Sequence, residues 1–403
     1  MKFSPYAQAL TMHCSTRQFL FISVLVGFVL MHETRTEPFD KAEGTFASWL
    51  EAYSPRPAPA PLAVVRISDE DLKNSRWPWQ PVDYSLFLNA ALPFHPSVLG
   101  IEPVLTWDKA DGAETLHHQA LSTPKLLLSS ELGSPEDPAL VPPMQEVPVL
   151  RHVEGSVSAI DEYQVVSAQP GEDLRHSAAV GFFGPVANRP ITRVPLLYRY
   201  HGEVVPSFVL QAAMLWYGVS AEEVRVVPGS YVELGKAARV PIDADGTMAV
   251  NFTIPTAAFS YPDLLLSAEQ LQTGHETTIP AAQLKDSLIL LTRVDQEARK
   301  LPLANGKEGS RGELAAAAIA TIQQQRYAGA SPFAVSVAVL AFFLGVGWAM
   351  SRVGKFPAAV ICVGAFALYV LVSLGIFASW QVALPFGLAV GMSLFLLLFR
   401  QFE

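Results

Sequence analysis

Two scarcities organise this sequence of 403 residues. Cysteine occurs only as Cys14 and Cys362, one beside and one inside an apolar run. The long stretch between them holds neither a disulfide framework nor a thiolate-bound metal, although an oxidising compartment stays open to it. Charge is the second scarcity. Asp, Glu, Lys and Arg make up 16% of the chain, against about 25% in ordinary soluble proteins. The shortage sits at the ends: residues 1–31 carry only Lys2 and Arg17, and residues 327–403 only Arg352, Lys355, Arg400 and Glu403. Residues 32–326 retain 23 basic and 36 acidic groups, a net charge of −13. Such a body repels phosphates, which excludes nucleic acid as a partner. Its wealth of Val, Leu and aromatics excludes disorder.

What is present instead is a set of apolar runs. Phe19–Met31 is short for a span, and no small-x-small cleavage site follows it, so it reads as an uncleaved signal anchor. Residues 331–350, 356–378 and 380–399 are each long enough to cross a bilayer, the first opened by an N-cap and first-turn pair, Ser331-Pro332. The positive-inside rule places residues 1–18 in the cytoplasm, residues 32–330 outside it, and the basic loop Ser351–Lys355 inside again. The three later spans hold no ionisable interior residue, which argues against transport. Gly387 and Gly391, four apart, suit a contact face packed among the chain's own spans.

Between the membrane segments, Phe39, Phe46, Trp49, Leu50 and Tyr53 share one helix face, and Pro55, Pro57, Pro59 and Pro61 make a stiff extended spacer. Strand-like runs at 62–68, 98–105 and 124–130 alternate with helical ones at 82–92 and 113–121, the mark of parallel βαβ units. Residues 134–148, with five prolines, read as a surface loop. Further on, 191–205 suggests a hairpin about His201-Gly202, and 206–218 a helix. A second hairpin is expected from 239–252 across Asp243-Ala-Asp-Gly246. A strand at 287–292 precedes a helix, 311–327, running directly into the membrane. The expected fold is α/β: one mostly parallel sheet domain with an antiparallel section, one N-terminal and three C-terminal transmembrane helices.

Most chemical motifs fail on inspection. Asp243-Ala-Asp-Gly246 opens like a calcium loop, but Phe252 stands where a closing carboxylate is required. Gly229 to Ala237 lacks both the glycine spacing and the hydroxyl of a phosphate loop. His117 and His118 are adjacent and diverge on a helix, and no His-Glu-x-x-His or Gly-x-Ser-x-Gly appears. Trp77-Pro78-Trp79 reads as a turn packing two indoles, and Asn251-Phe-Thr253 is a formal glycosylation sequon placed in a strand. One constellation survives. Ligands of parallel sheets gather beyond the carboxyl ends of the strands. The expected strands bring Asp69, Glu102, Asp108, Glu131, Arg293 and Asp295 to that edge. Carboxylates with one guanidinium suit a small cationic or zwitterionic solute or a metal ion, against solvated loop charges as the plain alternative. No catalytic residue and no cofactor is assigned.

The motif order resembles that of the CHASE type-two sensory domain, an extracytoplasmic module of cyclases and histidine kinases. The resemblance is carried by Val64-Val-Arg-Ile-Ser-Asp-Glu-Asp-Leu72 with Arg76-Trp-Pro-Trp79, and by Val98-Leu-Gly-Ile-Glu102. Val240-Pro-Ile-Asp-Ala-Asp-Gly246 with Val250-Asn-Phe252, and Leu284-Lys-Asp-Ser-Leu-Ile-Leu-Leu291, follow. Gly309-Ser-Arg-Gly-Glu-Leu-Ala-Ala316 comes last. The family pattern has Asp where Glu102 stands, His at Ala315 and glycines at Thr292-Arg-Val-Asp295, which implies a different ligand or lost binding. The resemblance implies a bacterial inner-membrane sensor with a periplasmic body. The chain ends four residues after Phe399, so signalling is expected through a separate kinase or cyclase. The alternatives are a structural or assembly protein of the envelope, and an extracytoplasmic enzyme for which no carboxylate pair is singled out.

Overall fold

The computed structural model describes residues 24, 26–30, 46, 58–73, 77–107, 110–133, 147–185, 191–303, 307–327, 333–380 and 384–402. The chain forms two compact units, Arg56–Ala328 on one hand and Met1–Pro55 with Gly329–Glu403 on the other. Asp108, Ser331-Pro332, the loop at 134–146 and all but Phe46 of the first helix face lie outside the described residues.

The larger unit is built on β1 (Leu62–Ile67), α1 (Pro81–Ala91), β2 (Val98–Ile101), α2 (Ala113–Ser122) and β3 (Leu126–Gly133). There follow β4 (Val165–Ala168), the short α3 (Glu172–Ser177) and β5 (Ala179–Phe183). Three strands, β6 (Arg193–Pro195), β7 (Leu197–Tyr200) and β8 (Glu203–Pro206), lead to α4 (Phe208–Tyr217). Next come β9 (Val224–Val227), β10 (Tyr231–Leu234), β11 (Ala238–Pro241) and β12 (Thr247–Ala249). The unit closes with β13 (Ala257–Ser260), α5 (Tyr261–Gln272), β14 (Leu288–Arg293) and α6 (Arg311–Gln324).

Seven strands form the central sheet in the order β13-β1-β14-β2-β3-β4, with β5 also on β3. Every pairing except β3 with β4 is parallel. Both faces are covered, which is why β2 and the first four residues of β1 and β14 read as apolar runs, with Arg66, Thr292 and Arg293 only at the carboxyl ends. Leu62, Val64, Leu288 and Leu290 point into a core shared with Phe208, Leu210 and Ile319 of α4 and α6. Ala63, Val65, Ile289 and Leu291 point the other way, against Tyr84, Phe87, Leu116 and Leu264 of α1, α2 and α5.

The antiparallel section departs from the sequence reading. The 191–200 run is two strands: β6 pairs with β12, while β7 pairs with β8 across a turn where His201 and Gly202 take φ of 49° and 84°. The expected hairpin 239–252 is absent, since β11 pairs with β10 and β12 with β6. The Asp-Gly turn itself forms, closed by Gly246 N–H to the Asp243 carbonyl at 3.0 Å. Asp243 is taken by Arg193 at 2.7 Å, and Asp245 accepts from Thr247 N–H at 3.0 Å. Helix α4 begins one residue after Ser207, whose hydroxyl caps it, and Pro206 belongs to β8. Gly229 and Gly235 sit in strand turns with φ of 78° and 54°, as a hairpin ladder needs.

Three local readings change as well. Only Trp79 is fully buried, against Tyr84 and Tyr261, whereas Trp77 lies under the Arg293 guanidinium at 4.0 Å. Asn251 is buried outside any strand, its amide donating to the Arg326 carbonyl at 3.1 Å, so the sequon is closed to modification. The helix expected over 311–327 stops at Gln324. Gln325 takes φ of 50°, and the Gln325 and Arg326 N–H groups bond back to the Ile322 and Thr321 carbonyls. That double bond is a Schellman stop made without glycine.

The second unit contains α7 (Phe333–Ser351), α8 (Lys355–Trp380) and α9 (Phe386–Phe402). Among the described residues only Lys355–Phe377 is long and apolar enough to cross a membrane; Val335–Ser351 and Phe386–Phe399 are apolar but shorter. Gly391 faces Phe28 of the N-terminal helical segment, where a Cβ would stand 3.0 Å from the ring, so this glycine meets the first apolar run.

Candidate functional site

The carboxyl edge of the central sheet is where α6 begins. Its start is over-determined: the Ser310 hydroxyl accepts from Glu313 N–H at 3.2 Å, and the Glu313 carboxylate accepts from Ser310 N–H at 2.9 Å. This capping box satisfies two of the backbone donors that a helix start leaves open. Glu313 also pairs with Arg66 of β1 at 2.7 Å. Gly312 lies against β14. A Cβ there would stand 1.9 Å from Thr292 Oγ1 and 2.4 Å from Thr292 Cβ, so only glycine lets the helix dock this closely.

Arg311, the first residue of α6, reaches across the edge. Its Nε donates to Glu102 Oε1 at 2.6 Å and its Nη1 to Glu131 Oε1 at 2.5 Å, while the guanidinium carbon lies 4.5 Å above the Phe183 ring. One side chain thus joins the ends of β2, β3 and β5. Thr292 Oγ1 donates to the second Glu102 oxygen at 3.2 Å. Burial works against the charge of Arg311, but Glu102 and Glu131 outweigh it and raise its pKa further. A cation in the first helical turn is disfavoured by the helix dipole. These carboxylates, not the helix, hold Arg311 in place.

A second cluster lies at the ends of β1 and β14. Arg293 donates twice to Asp295, at 2.7 and 2.6 Å, with its guanidinium stacked over the Trp77 ring. Burial pushes the Asp295 carboxyl up, and the hydrogen bonds and charge of Arg293 overcome it, holding the group below its ordinary value. Asp69 accepts from Gln296 N–H at 3.1 Å. Buried Tyr84 is near enough to both clusters for its hydroxyl to feel Glu102 of one and Arg293 of the other. Its burial, with the charges of Glu102 and Asp83, drives its pKa far up, so its hydroxyl keeps its proton. Tyr84 also packs on Trp107, at 5.3 Å between rings, in the wall of a cleft of about 640 Å³. His117, Gln169, Asp173 and Arg175 complete much of that wall.

The edge therefore gathers Asp69, Glu102, Glu131, Arg293 and Asp295, but in two paired clusters rather than one open nest of carboxylates. Asp108 lies outside the described residues. In the sequence Arg311 stands inside Gly309–Ala316 with nothing beside it that assigns it a role. Its partners are 180 and 209 residues away, and the one local signal was an arginine where a helix start favours an acid. Among the described residues no group of three His, Cys, Asp or Glu is placed to hold a metal ion.

A family model of the CHASE2 domain fits residues 21–351. The chain belongs to the CHASE2 family. CHASE2 domains are extracytoplasmic sensory modules, and the match contains every residue of the carboxyl-edge site. No curated protein and no solved structure matches the chain. Helices α8 and α9 lie beyond the CHASE2 match.

Proposed function

We propose that this CHASE2 protein is a membrane-anchored sensor of the bacterial inner membrane, with residues 32–330 in the periplasm, that signals through a separate cytoplasmic kinase or cyclase. Phe19–Met31 and the three C-terminal apolar helices are its anchors. The basic residues Lys2, Arg17, Arg352 and Lys355 give the orientation. A small-molecule ligand acts at the carboxyl edge, through Asp69, Glu102, Glu131, Arg293 and Asp295, together with Asp108, which lies outside the described residues.

The observation that carries this reading is the course of α6. It starts among the edge charges and runs fourteen residues, about 21 Å, to the opposite end of the sheet. There the Gln323 and Gln324 side chains reach the carbonyls of Pro61 and Pro59 at 3.4 Å. The chain enters and leaves the body at this end, so a change at the edge arrives where both connections begin. The direct test is cross-linking and co-purification from membranes, combined with a solute screen read by hydrogen exchange in α6. The proposal expects a kinase or cyclase in the recovered complex and at least one solute that alters α6. Bare chain and an unresponsive α6 count against it.

The pairing of the edge charges with one another favours a second reading, in which the network only stiffens a structural or assembly protein of the envelope. A body found in a large complex and indifferent to every solute selects that reading.

A further inference from the structure

The bridge at the carboxyl edge is a guanidinium-binding cradle that the chain itself fills. Two carboxylates from different strands take two different nitrogens of one planar cation, and an aromatic ring lies beneath it. Planar two-sided donation over a ring is recognition of a guanidinium, which an ammonium does not reproduce. The occupant is in the wrong place for its own helix, since a cation opposes the dipole at a helix start. The helix does not need it either, because the Ser310–Glu313 box and the Glu313–Arg66 pair fix that turn independently. Solvent reaches the cradle: the Arg311 side chain is 25% exposed and that of Glu131 36%.

We propose that this cradle binds a soluble guanidinium compound and that Arg311 is its built-in competitor. The inference rests on the carboxyl edge being the responsive site, and it names the ligand class of that site. An incoming guanidinium replaces Arg311 cation for cation between Glu102 and Glu131. Arg311 swings into solvent, and α6 loses its tie to β2 and β3 while keeping its cap. Because the tethered arginine competes at a high effective concentration, the wild-type chain binds weakly and its vacated form binds far better.

Agmatine serves as probe, on the full-length chain in detergent micelles, with putrescine as a dication lacking the guanidinium. Calorimetry gives the affinity, and amide hydrogen exchange of residues 309–316 reports on the helix start. The expected results are at least tenfold tighter agmatine binding by Arg311→Ala than by wild type, and its loss when Glu102→Gln and Glu131→Gln are added. Saturating agmatine also speeds exchange at 309–316 in the wild type. Arg311→Lys, which keeps the charge but not the fork, gives the same answer should Arg311→Ala unfold. Absent agmatine binding by a folded Arg311 variant, equal binding of putrescine, or unchanged exchange in the wild type each overturns the inference. If some other solute moves α6 while agmatine does not, the sensory reading stands and only the guanidinium assignment falls; if no solute moves it, the sensory reading falls too.

Discussion

Gly312→Ala is the sharpest perturbation of the docked helix, because two effects of opposite sign compete. In an open helix the change stabilises by about 1 kcal/mol, through propensity alone. Here the new methyl lands 1.9 Å from Thr292 Oγ1 and 2.4 Å from Thr292 Cβ, both in the buried interface of α6 with β14. Ordinary contact lies near ~3.5 Å, so the helix start must retreat by roughly 1.5 Å. Overpacking of this kind costs about 1–3 kcal/mol. The retreat also stretches the 2.6 Å Arg311–Glu102 contact. Losing a buried pair costs up to ~3–5 kcal/mol, discounted here because Glu131 is partly in solvent. The net expectation is destabilisation by about 2–4 kcal/mol, a fall in melting temperature of roughly 4–12 °C for a body of this size. Circular dichroism melts of the full chain in detergent, beside hydrogen exchange at 309–316, measure it. Thr292→Ala added to Gly312→Ala recovers part of the loss, since it removes the nearer atom and leaves the Cβ. An unchanged or raised melting temperature for Gly312→Ala refutes the docking argument outright.

Three further outcomes follow from the same geometry. Arg311→Ala strands the buried Glu102 carboxylate and lowers stability by about 2–3 kcal/mol after allowance for solvent at Glu131; Glu102→Gln with Glu131→Gln in that background restores most of it in thermal melts. Asp295 has a depressed pKa in the fold, so its contribution is complete above the unfolded value of about 3.9 and is lost as pH falls through the lower folded value. Melts between pH 3 and 5 therefore show a shallower acid limb for Asp295→Asn, with no change in slope near neutrality. Asn251→Ala removes the amide bond to the Arg326 carbonyl and the bond from Thr253 N–H. It costs about 1–2 kcal/mol and speeds exchange at 322–327, while leaving 309–316 as in the wild type.

The parallel sheet was legible because its signals are local. Runs such as 62–65 and 288–291 are apolar throughout, and helices such as 81–91 and 113–122 lie between strands. The antiparallel section was not, because pairing there is decided at a distance. The one local mark of the point where the run 191–200 changes partners is Pro195, the last residue of β6, and a single strand read through it misses that break. The Asp-Gly turn at 243–246 was read correctly as a turn and wrongly as a hairpin, since a turn fixes direction and not the partner of the strand that follows. The stop of α6 at Gln325 carries no glycine, and the left-handed residue there is a glutamine. At the site, the carboxylates could be placed at one edge from strand order alone. That they would be neutralised by Arg311 and Arg293 depends on side chains meeting across the sheet, which spacing does not encode.

The central claim is that α6 carries the state of the carboxyl edge to the end of the body where the chain leaves it. Hydrogen exchange on the full-length chain, comparing wild type with the double variant Glu102→Gln, Glu131→Gln, tests it most directly. The claim predicts faster exchange through 309–324 and a change of either sign in the first turns of α7, from 333 onward. An effect confined to 309–316, with residues 320–327 and 333–340 as in the wild type, contradicts it.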